Sequence, residues 1–352
     1  ASQGFVEAIL DSELNQLGRP FREMLYRQTR GNPLFTIELL RGMQARGDLV
    51  LNEAGQWVEG PELDWGMLPA RVEAVLAQRI GRLDHELRRM LHVASVEGEQ
   101  FTAEVVAQLQ GMDKQTILAH LSDELDRQHR LIRAQSIERI DGKLLSRYRF
   151  RHNQIQKYLY SSLDEVQRVH LHEQTGAILE KLYGQGDEAA AYAIALARHF
   201  EEARLTSKAV HYRFLAGQRA LQLTAHQEAV AHLNKGLALL MILPDSNKRD
   251  EQELAIQLAL GMAWLSTSSP AAEMEKAFAR ARRLSRRVGN ITELCIALGG
   301  QAIFNYVRAN HRQALAFASE VLKLADEAAD PLLLILAHWP LGFIQWACGQ
   351  YV

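Results

Sequence analysis

The sequence predicts a mainly α protein in three parts: a short helical segment, a second group of helices closed by a β-hairpin, and a long array of helix pairs. Apolar residues recur at three- and four-residue steps through most of the chain, as in "PARVEAVLAQRIGRL", which is the period of an amphipathic helix. Asp141-Gly142 stands between two strand-like runs, and this dipeptide is a strong hairpin signal. Beyond residue 188, small residues return at fixed offsets, which indicates a helical repeat.

The composition is that of a globular protein with two or three domains. The chain has 352 residues, of which 47% are hydrophobic and 23% charged, and its net charge is −2. No overall basic field therefore attracts nucleic acid or membranes. No run approaches 18 uninterrupted apolar residues, and a signal-peptide pattern is missing, so we expect a cytoplasmic protein without a membrane contact. Cys295 and Cys348 lie in apolar helical patterns, and we expect both to be small buried residues in a reducing compartment.

Residues 1–64 are expected to form the first domain, made of short helices and one small hairpin. The stretch "TRGNPLF" interrupts two amphipathic segments, and Gly31, Asn32 and Pro33 predict that one helix ends here and another begins. Leu34 and Phe35 are expected to anchor the new helix. Further along, residues 49–52 and 56–58 flank a turn-rich triplet with a glycine, which favours a two-stranded hairpin.

Residues 65–170 are expected to form the second domain. Pro69 should open the first of its helices, Thr102 is placed to cap a later one, and Asp113 should open the helix "DKQTILAHLSDELDRQ". The hairpin centred on Asp141-Gly142 follows. Helices followed by a hairpin are the order of elements in a winged-helix domain.

Residues 171–352 are expected to form an α-solenoid. Gly217 precedes Ala229 by 12 residues, and Ala302 precedes Ala314 by the same interval. Small residues at these offsets let two antiparallel helices approach closely. This pattern resembles tetratricopeptide repeats, with spacings nearer 40 residues than 34, and the segment 251–287 fits it least. Because the chain begins at Ala1 inside an amphipathic pattern and stops at Val352 where a second repeat helix should start, we expect a fragment of a longer protein.

Taken in order, "TRGNPLFTIELLR", "LPARVEAVLAQRIGRL", "YRFRHNQIQKYLY" and the repeats resemble the signal-transduction ATPases with numerous domains, the STAND branch of the AAA+ superfamily, over nearly the whole chain. The resemblance implies that residues 1–64 are the helical lid of a nucleotide-binding module. It also implies an ADP or ATP cofactor, with Mg²⁺ held by a core domain that this chain lacks.

In that family the proline of the Gly-x-Pro element packs on the adenine, and a histidine of the winged-helix domain contacts the β-phosphate of ADP. The resemblance therefore implies that Gly31, Asn32, Pro33 and His152 bind nucleotide. The family's Met-His-Asp element reads Arg151-His152-Asn153 here, so only the histidine matches. Two structural alternatives remain open: Gly31-Asn32-Pro33 as a plain helix turn capped by Asn32, and His152 as a cap at a strand-to-helix corner.

No catalytic or metal-binding constellation is recognisable. The phosphate-binding sequence G-x-x-x-x-G-K-[ST] does not occur in the 352 residues, nor does an acidic run after an apolar strand, so this chain is not expected to be an enzyme. His170 and His172 are two residues apart on a helix, and we expect these histidines, with His199 and His211, to be solvated or capping. The arginine-rich segment 280–289 is expected to be a solvated helix face.

Three functions are weighed, of which the first is implied by the resemblance and the other two by the patterns themselves. The first is a regulatory switch, in which the lid and winged helix close on a nucleotide held by an upstream core, while the repeats bind a small-molecule inducer or a protein and oligomerisation accompanies activation. The second is a nucleotide-independent interaction scaffold. The third is a DNA-binding winged helix, which the acidic balance of "DKQTILAHLSDELDRQ" disfavours, so direct nucleic-acid binding is not expected.

Overall fold

The computed structural model of the chain describes residues 3–65, 72–140, 143–183, 186–265 and 271–348. Contacts divide the chain into two compact units, residues 1–171 and 172–352. The fold is mainly α with two small antiparallel sheets, both in the first unit, and the second unit is an array of helices. The fold class predicted from the sequence is therefore confirmed.

The first unit opens with three helices, α1 (Gln3–Leu10), α2 (Arg19–Thr29) and α3 (Pro33–Arg46), and a hairpin of β1 (Leu49–Leu51) and β2 (Trp57–Glu59). The hairpin predicted at this place is present, with Val50 opposite Val58. The helix break predicted at Gly31-Asn32-Pro33 is also present. Phe35 anchors α3 as expected, because it lies 5% exposed in a core shared with α1 and α2.

The remainder of the first unit wraps helices around a three-stranded sheet. Its elements are α4 (Val72–Gly81), α5 (His85–Glu97), β3 (Gln100–Thr102), α6 (Ala103–Gln110), α7 (Lys114–Ala119), a π-helical segment (His120–Gln128), β4 (Ile132–Ile140), β5 (Lys143–Phe150) and α8 (Asn153–Ser162). The sheet order is β3-β5-β4, with both pairings antiparallel. One buried cluster, which includes Phe101, Phe150 and Leu159, joins these helices to the sheet.

Several expectations for this region can be compared with the structure. Thr102 occupies the capping position of α6 but does not cap it, because its hydroxyl donates to Glu97 Oε1 at 2.7 Å instead. Strand β3 was not predicted, since three residues are too few to show an alternating pattern, and the single helix predicted over residues 113–128 is α7 followed by the π-helical segment. Pro69 and Asp141-Gly142 lie outside the described residues, although β4 and β5 are present on either side of that dipeptide. Asp113 does open α7, accepting from the backbone N–H groups of Gln115 and Thr116.

The second unit begins within α9 (Glu165–Tyr183) and continues as helices throughout. These are α10 (Gly186–Glu202), α11 (Thr206–Gln222), α12 (His226–Leu240), α13 (Asn247–Leu265), α14 (Ala271–Val288), α15 (Ile291–Val307), α16 (His311–Ala328) and α17 (Pro331–Ala347). From α10 onward each helix packs on the next, and α11, α13, α15 and α17 also contact one another in succession. That contact pattern is that of a helical solenoid.

The repeat is visible in its turns and in its small residues. Arg204, Thr224 and Ala309 each end a helix in the left-handed conformation, and each time the next backbone N–H donates to the carbonyl five residues earlier at 2.8 Å. The predicted close approach is also present: a Cβ on Gly217 would lie 2.6 Å from Leu233 Cγ on the facing helix. The segment 251–287, which fitted the repeat pattern least, forms α13 and α14 of the same array.

Two expectations about side chains in the second unit were wrong. Cys295 is buried, but Cys348 is exposed, because it follows α17 and has no helix packed over it in the described structure. His172 and His199 are not solvated: both are at most 1% exposed, and their Nδ1 atoms lie 3.0 Å apart between α9 and α10. Among the described residues, no helix is long and apolar enough to cross a membrane.

Candidate functional site

The Gly31-Asn32-Pro33 turn is held by its backbone geometry and by the Asn32 side chain. Arg30 and Gly31 both adopt left-handed geometry, with φ of 49° and 69°, so glycine at position 31 relieves strain that another residue would add. Asn32 caps α3, because its Oδ1 accepts from the Phe35 N–H at 3.0 Å. Pro33 is exposed at the first position of α3, where its missing N–H costs nothing.

His152 stands at the corner between β5 and α8. It has extended backbone geometry at the position before α8, and its side chain does not cap that helix. Burial lowers the pKa of His152 below its ordinary value; Glu38 opposes this shift, whereas the guanidiniums of Arg41, Arg79 and Arg151 add to it. At neutral pH the imidazole is therefore largely uncharged and offers a hydrogen bond rather than a charge.

His152 lines a cleft whose other wall is α3. This arginine cleft, as we call it, has a volume of about 480 Å³. Its lining combines one face of a helix with a loop and two strand ends: Ile37, Arg41, Arg130, Arg133, Arg151 and His152. Arg41 comes from α3, Arg130 precedes β4, Arg133 lies on β4, and Arg151 follows β5. The cleft thus joins the first three helices to the sheet-bearing part of the first unit.

The positive charge of the arginine cleft is only partly compensated. Arg151 pairs with Asp126 at 2.6 Å and also donates through Nε to the carbonyl of Ile132 at 2.8 Å. Arg41 pairs with Glu38 at 3.1 Å. Within the part of the chain that the structure describes, neither Arg130 nor Arg133 has a carboxylate partner. Two guanidiniums are consequently available to an anion.

Glu38 joins α3 to α4 beside the cleft. Its side chain is 1% exposed, and its Oε1 is shared between Arg41 on α3 and Arg79 on α4. Arg79 also donates to the backbone carbonyl of His129, which follows the π-helical segment. Burial lowers the pKa of Arg79 while Glu38 raises it. Since the other oxygen, Oε2, is buried without a hydrogen-bond partner among the described residues, Glu38 depends on its two arginines.

Of the predicted site residues, only His152 lines the cleft; Gly31, Asn32 and Pro33 do not, although Pro33 opens the helix that forms one wall. His152 and α3 share the cleft, and Pro33, Ile37 and Arg41 follow one another at four-residue steps, so they lie on one face of α3. Pro33 is roughly 12 Å from Arg41 along the helix axis, given a rise of 1.5 Å per residue. Asn32 is engaged as the cap of α3, the structural role that the sequence left open, and Gly31 is buried.

Sequence reasoning missed the arginines of the cleft. The four-residue spacing from Pro33 to Arg41 was a usable signal for one of them. Arg151 directly precedes His152 in the sequence, whereas Arg130 and Arg133 carry no such signal, since they reach the cleft only through the pairing of β4 with β5. Arg149 lies directly opposite Arg133 in the sheet register, but it forms an ion pair with Glu99 at 3.1 Å.

Other candidate residues show no site. No group of three or more potential metal ligands occurs among the residues that the structure describes. Arg280 makes a two-bond contact with buried Glu253 at 2.6 and 2.8 Å, and Arg286 and Arg287 pair with Glu320 and Asp250. These arginines of segment 280–289 therefore join neighbouring helices.

Comparison with known proteins gives distant similarities. No protein-family model matches the chain. An uncharacterized protein of Rhizobium meliloti (strain 1021) is 29% identical over 249 residues, which cover 67% of this chain and 23% of that protein. A crystal structure of a STAND protein with a tetratricopeptide repeat sensor from Pyrococcus horikoshii aligns with a TM-score of 0.36 and 12% identity, covering 99% of this chain and 57% of that one. The chain therefore corresponds to about a quarter of the Rhizobium protein's length and somewhat more than half of the Pyrococcus chain's.

Proposed function

We propose that this chain is the regulatory part of a nucleotide-controlled switch. The first unit would act as lid and winged helix over ADP or ATP held by a separate nucleotide-binding core, and the helical array would bind an inducer or a protein partner. The observation that supports this most is the shared cleft: His152, singled out from the sequence, lies against the helix that Pro33 opens, among guanidiniums suited to phosphate.

The proposed placement of the nucleotide follows the face of α3. The base packs on the exposed ring of Pro33, and the phosphates extend along Ile37 and Arg41 into the arginine cleft. There His152 donates a hydrogen bond to a phosphate oxygen. Arg130 and Arg133 supply charge, which a phosphate needs and an uncharged imidazole lacks.

The chain's own residues fit the phosphates of the nucleotide better than they fit Mg²⁺. The nearby carboxylates, Glu38 and Asp126, are already paired with arginines, and a hard cation needs free oxygen ligands. The metal ion would therefore be held by the core. The role proposed for this chain is binding and switching, not hydrolysis.

Switching requires that nucleotide and inducer prefer particular arrangements of the protein. A ligand that binds two arrangements equally well shifts neither. Contacts of Pro33 and His152 with ADP would exist only while the first unit covers the core, so ADP would favour that closed arrangement. An inducer on the helical array would favour release. In this proposal the protein works in the cytoplasm and oligomerises on activation.

The experiment is calorimetric titration of ADP and ATP into the chain joined to its nucleotide-binding core, with wild type compared with Pro33→Ala and His152→Ala. Pro331→Ala, at the same helical position of α17, is the matched control for the proline. We expect both first-unit substitutions to weaken ADP binding about tenfold or more while Pro331→Ala leaves it unchanged.

Other outcomes lead to the alternative functions. If ADP binds equally to wild type and both variants, the Gly31-Asn32-Pro33 turn is only a helix turn, and an interaction scaffold describes the protein better. Tight, salt-sensitive binding of duplex DNA by the first unit's surface would instead favour the transcription-factor alternative.

A further inference from the structure

We propose that the arginine cleft binds a diphosphate or triphosphate group without help from another domain, and that Arg130 and Arg133 supply most of the affinity. The proposal deepens the nucleotide switch, on which it rests for the source of the phosphates. The site itself stands on the residues of this chain.

The two arginines are held in place by a rigid segment. Leu131 and Ile132, which separate them, are completely buried. The Leu131 N–H donates to the carbonyl of Leu125 at 2.9 Å, and the Leu131 carbonyl accepts from the Arg151 N–H at 3.0 Å. Arg130 itself has φ of 51°, a strained geometry that persists where surrounding contacts enforce it. The guanidiniums therefore start from a fixed backbone, which lowers the entropy lost on binding.

The charge balance selects a multivalent anion. Five guanidiniums, those of Arg41, Arg79, Arg130, Arg133 and Arg151, face two carboxylates at and beside the cleft. A single negative charge would leave much of this excess uncompensated. Every cation is an arginine, whose planar fork donates two parallel hydrogen bonds to the oxygens of one phosphate. Adjacent phosphates of a diphosphate match several such forks at once.

The cleft contains carboxylates that compete with a phosphate for its arginines. Glu38 engages Arg41 and Asp126 engages Arg151. An incoming phosphate must share these arginines with the carboxylates, so the carboxylates lower its affinity. Replacing Asp126, the more exposed of the two, with the neutral isostere asparagine should strengthen phosphate binding while leaving the buried Glu38 and Arg79 contact intact.

The test is calorimetric titration of inorganic pyrophosphate into the 352-residue chain at low ionic strength. We expect Arg130→Gln and Arg133→Gln each to weaken binding about tenfold and Asp126→Asn to strengthen it several-fold. Arg149→Gln is the matched control, because Arg149 lies opposite Arg133 in the sheet but outside the cleft, and it should change affinity less than about twofold.

Additional arms identify the source of the phosphates. Titrations with ADP, AMP and tripolyphosphate compare chains of phosphates with and without a base. If ADP binds more tightly than pyrophosphate and Pro33→Ala removes only this difference in affinity, the cleft binds nucleotides through a contact with the base. If ADP and pyrophosphate bind equally, the cleft is a polyphosphate site with no base contact.

Two results would overturn the inference: no pyrophosphate binding by wild type, or equal losses in Arg133→Gln and Arg149→Gln, which would mean general surface attraction. Neither result decides the proposed switch, since ADP could still bind to the chain with its core in a Pro33-dependent way. Conversely, pyrophosphate binding that depends on Arg133 would support the inference even if Pro33→Ala does not change ADP binding by the protein that includes the core.

Discussion

Adjacent glycines on α15 offer a direct test of how the helical array is packed. Gly299 and Gly300 follow each other on the same helix, so both should gain helix stability when changed to alanine. Their surroundings differ completely. A Cβ on Gly299 meets nothing within 4 Å, whereas a Cβ on Gly300 would lie 2.4 to 2.6 Å from three ring carbons of Phe278.

The ring of Phe278 cannot move away to make room. It is 0% exposed, and it also lies against Gly261 on α13, where a Cβ would come within 2.6 Å of the ring. The phenylalanine of α14 is therefore clamped by two glycines, one from α13 and one from α15. Gly299→Ala should stabilise the protein by ~0.5–1 kcal/mol. Gly300→Ala gains the same helix term but adds an overpacking cost of ~1–3 kcal/mol, so the two variants should differ by about that cost.

The assay is urea unfolding of the 352-residue chain, followed by circular dichroism at constant pH and temperature. Gly300→Ala combined with Phe278→Leu should recover part of the loss, because the smaller side chain leaves space for the methyl group. If Gly300→Ala proves as stable as Gly299→Ala, the ring is not clamped and the stacking of α13, α14 and α15 described above is wrong.

Three further predictions concern single contacts. Burial lowers the pKa of His199 well below 6.5. The unfolded chain therefore takes up this proton first as the pH falls, and the free energy of unfolding should decrease below about pH 6.5. His199→Gln should make the free energy of unfolding depend less on pH in urea unfolding curves measured from pH 7.5 to 5.5, and an unchanged pH dependence would contradict the buried placement. Asn32→Ala should cost about 1 kcal/mol of unfolding free energy through the lost cap, against little change for the exposed Asn153→Ala. Arg79→Met should lower the free energy of unfolding by about 3–5 kcal/mol, because it removes an ion-pair partner from buried Glu38. Arg82→Met, one turn away and exposed, should change it by no more than ~0.5 kcal/mol. Equal effects would show that Glu38 does not need Arg79.

Much of the architecture was predictable because it is encoded between near neighbours. Pro33 and Asn32 mark the start of α3 through φ, a missing donor and a capping oxygen, all within four residues. The β1 and β2 hairpin and the paired helices follow from alternation and from small residues at short offsets. Strand β3 escaped prediction for the opposite reason: it is a strand only because β5 supplies hydrogen-bond partners some 45 residues further along the chain.

The site divides in the same way. From sequence, His152 and the Pro33 turn were recognisable as motifs, yet nothing local shows that His152 faces α3. The sequence also does not show that Arg149 pairs with Glu99 while Arg133, opposite it in the sheet, lines the cleft. The pairing of β4 with β5 and the position of Glu99 determine where these two side chains lie.

The sequence by itself determined where helices begin, where the chain turns and which residues are small enough for close helix packing, since each depends on contacts a few residues apart. Only the tertiary structure decided that Arg41, Arg130, Arg133 and Arg151 surround one histidine, and that buried Glu38 offsets part of their charge. Electrostatic effects of this kind depend on distances in space and on burial, and residues far apart in sequence acquire both only when the chain folds.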